Sequence, residues 1–110
     1  MPSIVSAATS DCTLLARNLR VGMTGEDVRM LQVLLNSATS SRIASEGAGS
    51  PGNETTYFGN KTKAAVAAFQ EMYSTEVLTP AGLTRGSGFF GVLTRGKLVS
   101  LCNVTKEKPV

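Results

Sequence analysis

The stretch YFGNKTKAAVAAFQ, residues 57–70, determines how the rest of this chain is organised. Val66, Phe69 and Tyr73 recur at offsets of three and four residues, so they share one face of an α-helix. The alanines between them are strong helix formers with small side chains, which lets a neighbouring helix approach closely. The stretch therefore predicts one helix of a small bundle, packed through the face that carries these three residues.

A glycine-containing turn stands before this helix. Gly59 or Asn60 can act as its N-cap, and the Thr62 hydroxyl is placed to reach back to an unpaired backbone amide. The aromatic pair Tyr57-Phe58 precedes the glycine. The sequence leaves open whether this turn only begins the helix or also faces a ligand.

An earlier stretch has the same kind of pattern. The sequence GMTG, residues 22–25, marks a turn and the start of a helix. Val28, Leu31 and Leu35 follow at helical spacing and predict an amphipathic first helix. We place the end of this helix near Ser37.

The segment between these two helices, residues 37–56, consists mainly of Ser, Thr, Gly, Ala and Asn, with Ile43 as its one large apolar residue. It predicts a long surface loop, and loops of this length in compact domains are often functional. A phosphate-binding glycine loop is rejected, because the segment lacks a Gly-Lys-Ser/Thr ending and no buried strand precedes it.

Residues 89–101 repeat the pattern of residues 57–69 at a constant spacing. The aligned pairs are Tyr57 with Phe89, Phe58 with Phe90, Gly59 with Gly91, Thr62 with Thr94, Val66 with Leu98 and Phe69 with Leu101. A register kept over thirteen positions indicates one turn-helix unit used twice. The sequence therefore predicts the all-α class: a small three-helix bundle with a long Ser/Gly-rich loop between its first and second helices.

The chain is expected to form one domain between two less regular ends. Residues 1–13 are a lead-in that looks like the remnant of an export signal, because the small residues after Ile4-Val5 suit a cleavage site. Residues 14–102 form the domain, and residues 103–110 are a flexible charged tail.

Two cysteines, Cys12 and Cys102, lie at opposite ends of the predicted domain. Their positions favour a disulfide that closes nearly the whole domain, and two unrelated free thiols are the alternative. In the chain-entropy model, a disulfide that closes a loop of this size stabilises the folded state by roughly 4–5 kcal/mol, less any strain. A disulfide would indicate an oxidising, extracytoplasmic compartment.

The composition argues against an enzyme. The chain has no histidine, which removes His-dependent nucleophilic triads, His-ligated zinc and the commonest general base. The acidic residues show no paired spacing that would suit acid-base catalysis; they are Glu26, Asp27, Glu46, Glu54 and Glu71. We therefore expect no catalytic residues, no metal and no cofactor.

The charge and the hydropathy of the chain limit the classes of partner that it is expected to bind. The net charge of +3 is spread along the chain, which is a weak argument for nucleic acid and a mild one for an acidic polymer. A helix-turn-helix DNA binder is disfavoured because no helix is rich in Arg and Lys. No stretch approaches the roughly 20 apolar residues that a membrane span needs.

Three segments together resemble the peptidoglycan-binding-like module, a small three-helix domain of cell-wall enzymes and exported bacterial proteins. They are LRVGMTGEDVRMLQVLL at residues 19–35, YFGNKTKAAVAAFQ at residues 57–70 and, more weakly, GLTRGSGFFGVLTRGKL at residues 82–98. The resemblance covers roughly residues 17–101. It implies a non-catalytic module, outside the cytoplasm, that attaches an exported protein to peptidoglycan.

The resemblance also implies a ligand site beside the turn before the second helix. Carried over by motif, the candidate ligand-binding residues are Tyr57, Asn60, Thr62, Gln32, Gln70, Phe89 and Thr94. Each has a structural alternative: the threonines suit hydrogen bonds at helix starts, and the glutamines can bond each other or loop backbone. Tyr57 is the best single candidate, because the neighbouring Phe58 can serve the core.

One departure from the family bears on function. Many members carry Asp-Gly before the aromatic-glycine turn, whereas this chain has Thr55-Thr56 and a much longer loop. The loop from Ser45 to Thr56 can cover the ligand site that the resemblance implies, or it can create a new surface. An interaction or assembly domain, which binds itself or other surface proteins without binding glycan, is therefore the alternative function.

Overall fold

The computed structural model of this protein describes residues 14–37, 42–44 and 46–107, with residues 103–107 described by their backbone alone. The predicted lead-in, residues 1–13, lies outside the described residues, and so does Cys12. The proposed partner, Cys102, is buried in the last helix. The disulfide between the two cysteines therefore stays a prediction.

The described part of the chain contains four α-helices and one short 3₁₀ helix, joined by turns and loops. They are α1 (Glu26–Leu35), α2 (Asn60–Met72), α3 (Ser74–Val77), a 3₁₀ turn (Thr79–Ala81) and α4 (Val92–Glu107). The all-α prediction is confirmed. The backbone of residues 103–107, which the sequence pattern assigned to the tail, continues α4.

The predicted number of helices, three, was wrong, because a further short helix, α3, lies between the second and third predicted helices. Tyr73 ends α2 with φ of −120° and ψ of 41°, and the chain then turns into α3. Pro80, which would interrupt the interior of a helix, stands in the first turn of the 3₁₀ helix, where its missing N–H costs no hydrogen bond. Val77 and Leu78 are buried, so this short element contributes to the interior.

A short segment, residues 19–24, turns at Val21-Gly22 and ties the two halves of the fold together. Leu19 and Phe90 exchange backbone hydrogen bonds of 3.0 and 2.9 Å in one isolated antiparallel bridge. At the other end of the segment, the Phe58 amide donates to the carbonyl of Met23 over 2.9 Å, beside a second bridge. Both aromatic-glycine turns are therefore fixed to the same segment.

The core lies between the long helices and beneath both turns. Phe58 and Phe90, the second aromatic residue of each repeat, are fully buried and belong to one apolar cluster. Val66, Phe69 and Leu98, whose helical spacing predicted that they point inward, are also buried. Leu101 is half-buried against the same cluster.

The long loop after α1 is held by one buried side chain, Asn36. Its Nδ2 donates to the carbonyl of Gly49 over 2.9 Å and to Oε2 of Glu54 over 2.8 Å. Its Oδ1 accepts from the amide of Ile43 over 2.7 Å. Because Ile43 is itself buried, the described part of this loop packs against the bundle and does not stand away from it.

Candidate functional site

The first aromatic-glycine turn is held in place by Gln32, a buried residue of α1. Its Nε2 donates to the carbonyl of Tyr57 and to Oγ1 of Thr62, each over 3.0 Å. Its Oε1 accepts from the amide of Thr55 over 2.6 Å. One amide side chain thus fixes the residues on both sides of Phe58.

The second aromatic-glycine turn has the same arrangement around Gln70 of α2. Gln70 Nε2 donates to the carbonyl of Phe89 over 2.8 Å and to Oγ1 of Thr94 over 3.0 Å. Its Oε1 accepts from the amides of Ser87 and Gly88 over 2.8 and 3.0 Å. The sequence repeat is therefore also a repeat of hydrogen bonds, in which a helix glutamine holds the turn that follows it.

These bonds show which groups of the protein the glutamines and threonines contact. Both glutamines bond loop backbone. No side-chain cap bond is recorded at the start of α2, so Thr62 does not reach back to an amide as predicted and accepts from Gln32 instead. Across the described residues, no buried side-chain polar atom lacks a partner. We infer that the two Gln-Thr pairs position the turns from beneath.

The first aromatic of each turn lies over the glycine two residues later. A Cβ atom on Gly59 would stand 3.0 Å from Cε2 of Tyr57, and one on Gly91 would stand 2.8 Å from Cε2 of Phe89. A Cβ atom at Gly59 would require the Tyr57 ring to give way by a few tenths of an ångström, and one at Gly91 would require Phe89 to shift further. The rings remain accessible, with exposed fractions of 53% for Tyr57 and 43% for Phe89. Each ring therefore rests on a glycine backbone on one side and is open to solvent on the other.

The first groove, of about 200 Å³, opens beside the Tyr57 ring at the start of α2. Its floor is formed by Gln32 and Thr62, and Asn60 and Lys61 line its rim. The loop supplies the remaining wall through Ile43, Ala48 and Gly49. The loop therefore lines this groove. Chemically, the groove offers an aromatic face, an amide and an ammonium group at the positive end of a helix dipole.

The second groove, of about 190 Å³, opens beside Phe89 at the start of α4. Gln70 and Thr94 lie on its floor, as their counterparts do in the first groove. The rest of its lining is mostly apolar and comes from Val77, Ala81, Leu83, Val92 and Leu93. The two grooves therefore share a floor but differ in their walls.

The seven candidate ligand-binding residues fall into two clusters. Tyr57 and Asn60 are exposed at the first groove, with Gln32 and Thr62 beneath them. Phe89 is exposed at the second groove, with Gln70 and Thr94 beneath it. Their roles as ligand contacts stay predictions.

Several lining residues escaped the sequence reasoning. Lys61 stands next to Asn60, but its place at the rim depends on where the loop runs. Val92 and Leu93 could have been found, because they align with Asn60 and Lys61 in the repeat. Nothing local in the sequence identified Ala48 or Gly49.

One ion pair supports residues 19–24, the segment to which the first aromatic-glycine turn is bonded. Arg17 Nε donates to Oδ2 of Asp27 over 2.7 Å, and Arg17 Nη2 donates to the carbonyl of Thr24 over 2.8 Å. The hydrogen bond from Arg17 lowers the pKa of Asp27 below its ordinary value, although partial burial of the carboxylate opposes this shift. The pair fixes the segment opposite Tyr57, since Thr24 forms the bridge to that residue.

The described part of the chain also bears on metal binding and on membrane crossing. No group of three or more His, Cys, Asp or Glu residues there is arranged to hold a metal ion. None of its helices is both long enough and apolar enough to cross a lipid bilayer.

Comparison with known families gives one match. The family model described as "Putative peptidoglycan binding domain" matches residues 24–77. The match contains α1, α2, α3 and the first groove, and it ends before the second aromatic-glycine turn. Searches of curated proteins and of solved structures found no match. Residues 24–77 of this chain therefore belong to the peptidoglycan-binding domain family.

Proposed function

We propose that this protein is a non-catalytic module that attaches an exported bacterial protein to cell-wall peptidoglycan through the first groove. The observation that carries the proposal is the Tyr57 ring, which is exposed and lies over Gly59 within the segment that belongs to the family. The proposal places the module outside the cytoplasm, where peptidoglycan lies.

The first groove suits one part of a carbohydrate or peptide polymer. Its volume of about 200 Å³ is below the roughly 300–1,000 Å³ typical of pockets that enclose a whole small molecule. It therefore takes one unit, with the rest of the polymer running across the surface. The flat face of Tyr57 can pack on a sugar ring, and Asn60 can donate to and accept from hydroxyl groups.

The charge of the groove favours an acidic ligand. Lys61 is exposed at its rim, and the free amides at the start of α2 carry partial positive charge. The net charge of the chain, +3, acts in the same direction. Retention on peptidoglycan should therefore weaken as salt is raised.

Co-sedimentation with purified sacculi tests the proposal. We expect the protein to pellet with sacculi and Tyr57→Ala to remain in the supernatant. Met72→Ala is the control, because it removes an exposed side chain that lines neither groove; it should pellet as the wild type does. A wild-type protein that stays in the supernatant would refute the proposal, and so would equal loss in both variants.

The alternative, an assembly domain without glycan binding, is favoured by one observation. Val92 and Leu93 are exposed beside the second groove, where an apolar surface suits contact with protein. Size-exclusion chromatography over a range of concentrations tests this alternative, which requires assemblies that persist on dilution.

A further inference from the structure

The second groove differs from the first in the residues at its rim. In the register of the repeat, Phe89 replaces Tyr57, Val92 replaces Asn60 and Leu93 replaces Lys61. A phenol, an amide and an ammonium group are thus replaced by three hydrocarbon side chains. The glutamine and threonine beneath them are the same in both grooves. The difference is confined to the surface that a ligand would meet.

Packing of the core does not explain these hydrocarbon side chains. Val92 is 64% exposed and Leu93 is 40% exposed, and the equivalent positions in the first repeat are occupied by exposed polar residues. Leu83, on the opposite wall, is also exposed. Clustered exposed apolar side chains around a groove are typical of a surface that contacts another molecule.

A basic depression adjoins the second groove on the side of Phe89. It measures about 250 Å³ and is lined by Arg20 and Lys63, and it shares Ser87 and Phe89 with the second groove. Both cations are exposed, and neither has a recorded ion pair among the described residues. The stem of Lys63 lies against Gly88, which holds this side chain beside the turn. An apolar cavity and two unpaired positive charges thus meet at the Phe89 ring.

We propose that the second groove and this basic depression form a docking site for an extended segment of a partner protein. The segment places an apolar side chain in the second groove and an acidic side chain against Arg20 and Lys63. The volume of about 190 Å³ suits one large side chain, being smaller than a pocket for a whole small molecule. The site lies mostly beyond the family match and adds to the function proposed for the first groove.

The chemistry of the site argues against two other occupants. A sugar needs hydrogen-bonding groups, but the amide of Gln70 is already engaged with Ser87, Gly88, Phe89 and Thr94. A second copy of this chain, docked through the same patch, would bring its own Arg20 and Lys63 towards those of the first. Like charges brought together in this way disfavour association.

Selection from a displayed library of short random peptides tests the proposal on the purified 110-residue chain. Val92→Asn with Leu93→Lys gives the second groove the residues that the first repeat carries at these positions. Since the fold accommodates them there, this variant should stay folded, which circular dichroism can verify. Arg20→Ser with Lys63→Ser removes the two cations, and Tyr57→Ala is the control at the first groove.

We expect the selected peptides to combine a large apolar residue with a nearby Asp or Glu. Their affinity should fall about tenfold or more in the Val92/Leu93 variant, because an apolar side chain loses its burial. The Arg20/Lys63 variant should weaken binding and reduce its dependence on salt, whereas Tyr57→Ala should leave it unchanged.

Three results would overturn the proposal. They are the absence of enriched peptides, enriched peptides without acidic residues, and self-association that the Val92/Leu93 variant abolishes. Co-sedimentation with sacculi keeps this test apart from the proposed function. The Val92/Leu93 variant should pellet normally if the first groove is the site that binds peptidoglycan.

Discussion

Replacement of Gln32 by methionine tests whether one amide side chain holds the first aromatic-glycine turn. Methionine has a similar length and no hydrogen-bonding amide, so Gln32→Met removes the bonds to Tyr57, Thr62 and Thr55 while largely keeping the packing. Each such bond contributes about 0.5–1.5 kcal/mol, and the carbonyl of Tyr57 and the hydroxyl of Thr62 lose their buried donor. We expect the free energy of unfolding to fall by about 2–4 kcal/mol.

Urea denaturation followed by circular dichroism measures this change. The exposed substitution Arg85→Met is a control for the added apolar side chain, and it should change the free energy of unfolding by less than about 0.5 kcal/mol. A double-mutant cycle with Thr62→Val should give a coupling energy of about 1 kcal/mol between the two side chains. If Gln32→Met is as harmless as the control, the turn is held by its backbone contacts and our reasoning fails.

Three further predictions follow from the turns and their supports. Gly59→Ala should displace the Tyr57 ring and reduce co-sedimentation with sacculi more than it reduces stability, because the new Cβ would stand 3.0 Å from the ring. Urea titrations should show that the free energy of unfolding falls as the pH drops below about 4. The pKa of Asp27 is lowered in the folded protein, so the unfolded chain takes up its proton first. Oxidised protein should have the mass of a chain with a Cys12–Cys102 disulfide, and its reduction should cost about 4–5 kcal/mol of stability, less any strain.

Each of these predictions has a result that would contradict it, and the first two also have a matched variant. Gly96→Ala is the matched substitution, because a Cβ there meets no atom within 4 Å; equal loss of binding in both glycine variants would contradict the role of the ring. Asp27→Asn should make stability less sensitive to acid, and an unchanged pH profile would refute the contribution of this carboxylate. Two free thiols in the mass of exported protein would exclude the disulfide.

The periodicity of the sequence was sufficient to predict the buried faces of the long helices. Val66 and Phe69 of α2 and Leu98 of α4 are buried as their spacing required. Phe58 was also expected to serve the core, and the structure buries both Phe58 and its counterpart in the repeat, Phe90. These features depend on residues a few positions apart, whose relative directions follow from helix and turn geometry alone.

The short helix α3 shows where local signals misled. Pro80 and Gly82 are ordinary signs of a connection, and they indeed stand in or beside the 3₁₀ turn. The residues before them nevertheless form a helical turn, because Val77 and Leu78 gain burial against the bundle. Burial of this kind depends on a surface supplied by distant parts of the chain, and local propensity cannot anticipate it.

The sequence by itself determined that two turn-helix units exist and which residues of each unit face inward. Only the tertiary structure decided what the glutamines do, since Gln32 and Thr62 are 30 residues apart and Gln70 and Thr94 are 24 apart. It also separated the seven candidate residues into two grooves and made the long loop a wall of the first. The physical reason is that helical spacing is set by the backbone, whereas hydrogen bonds and grooves between distant segments exist only once those segments have packed together.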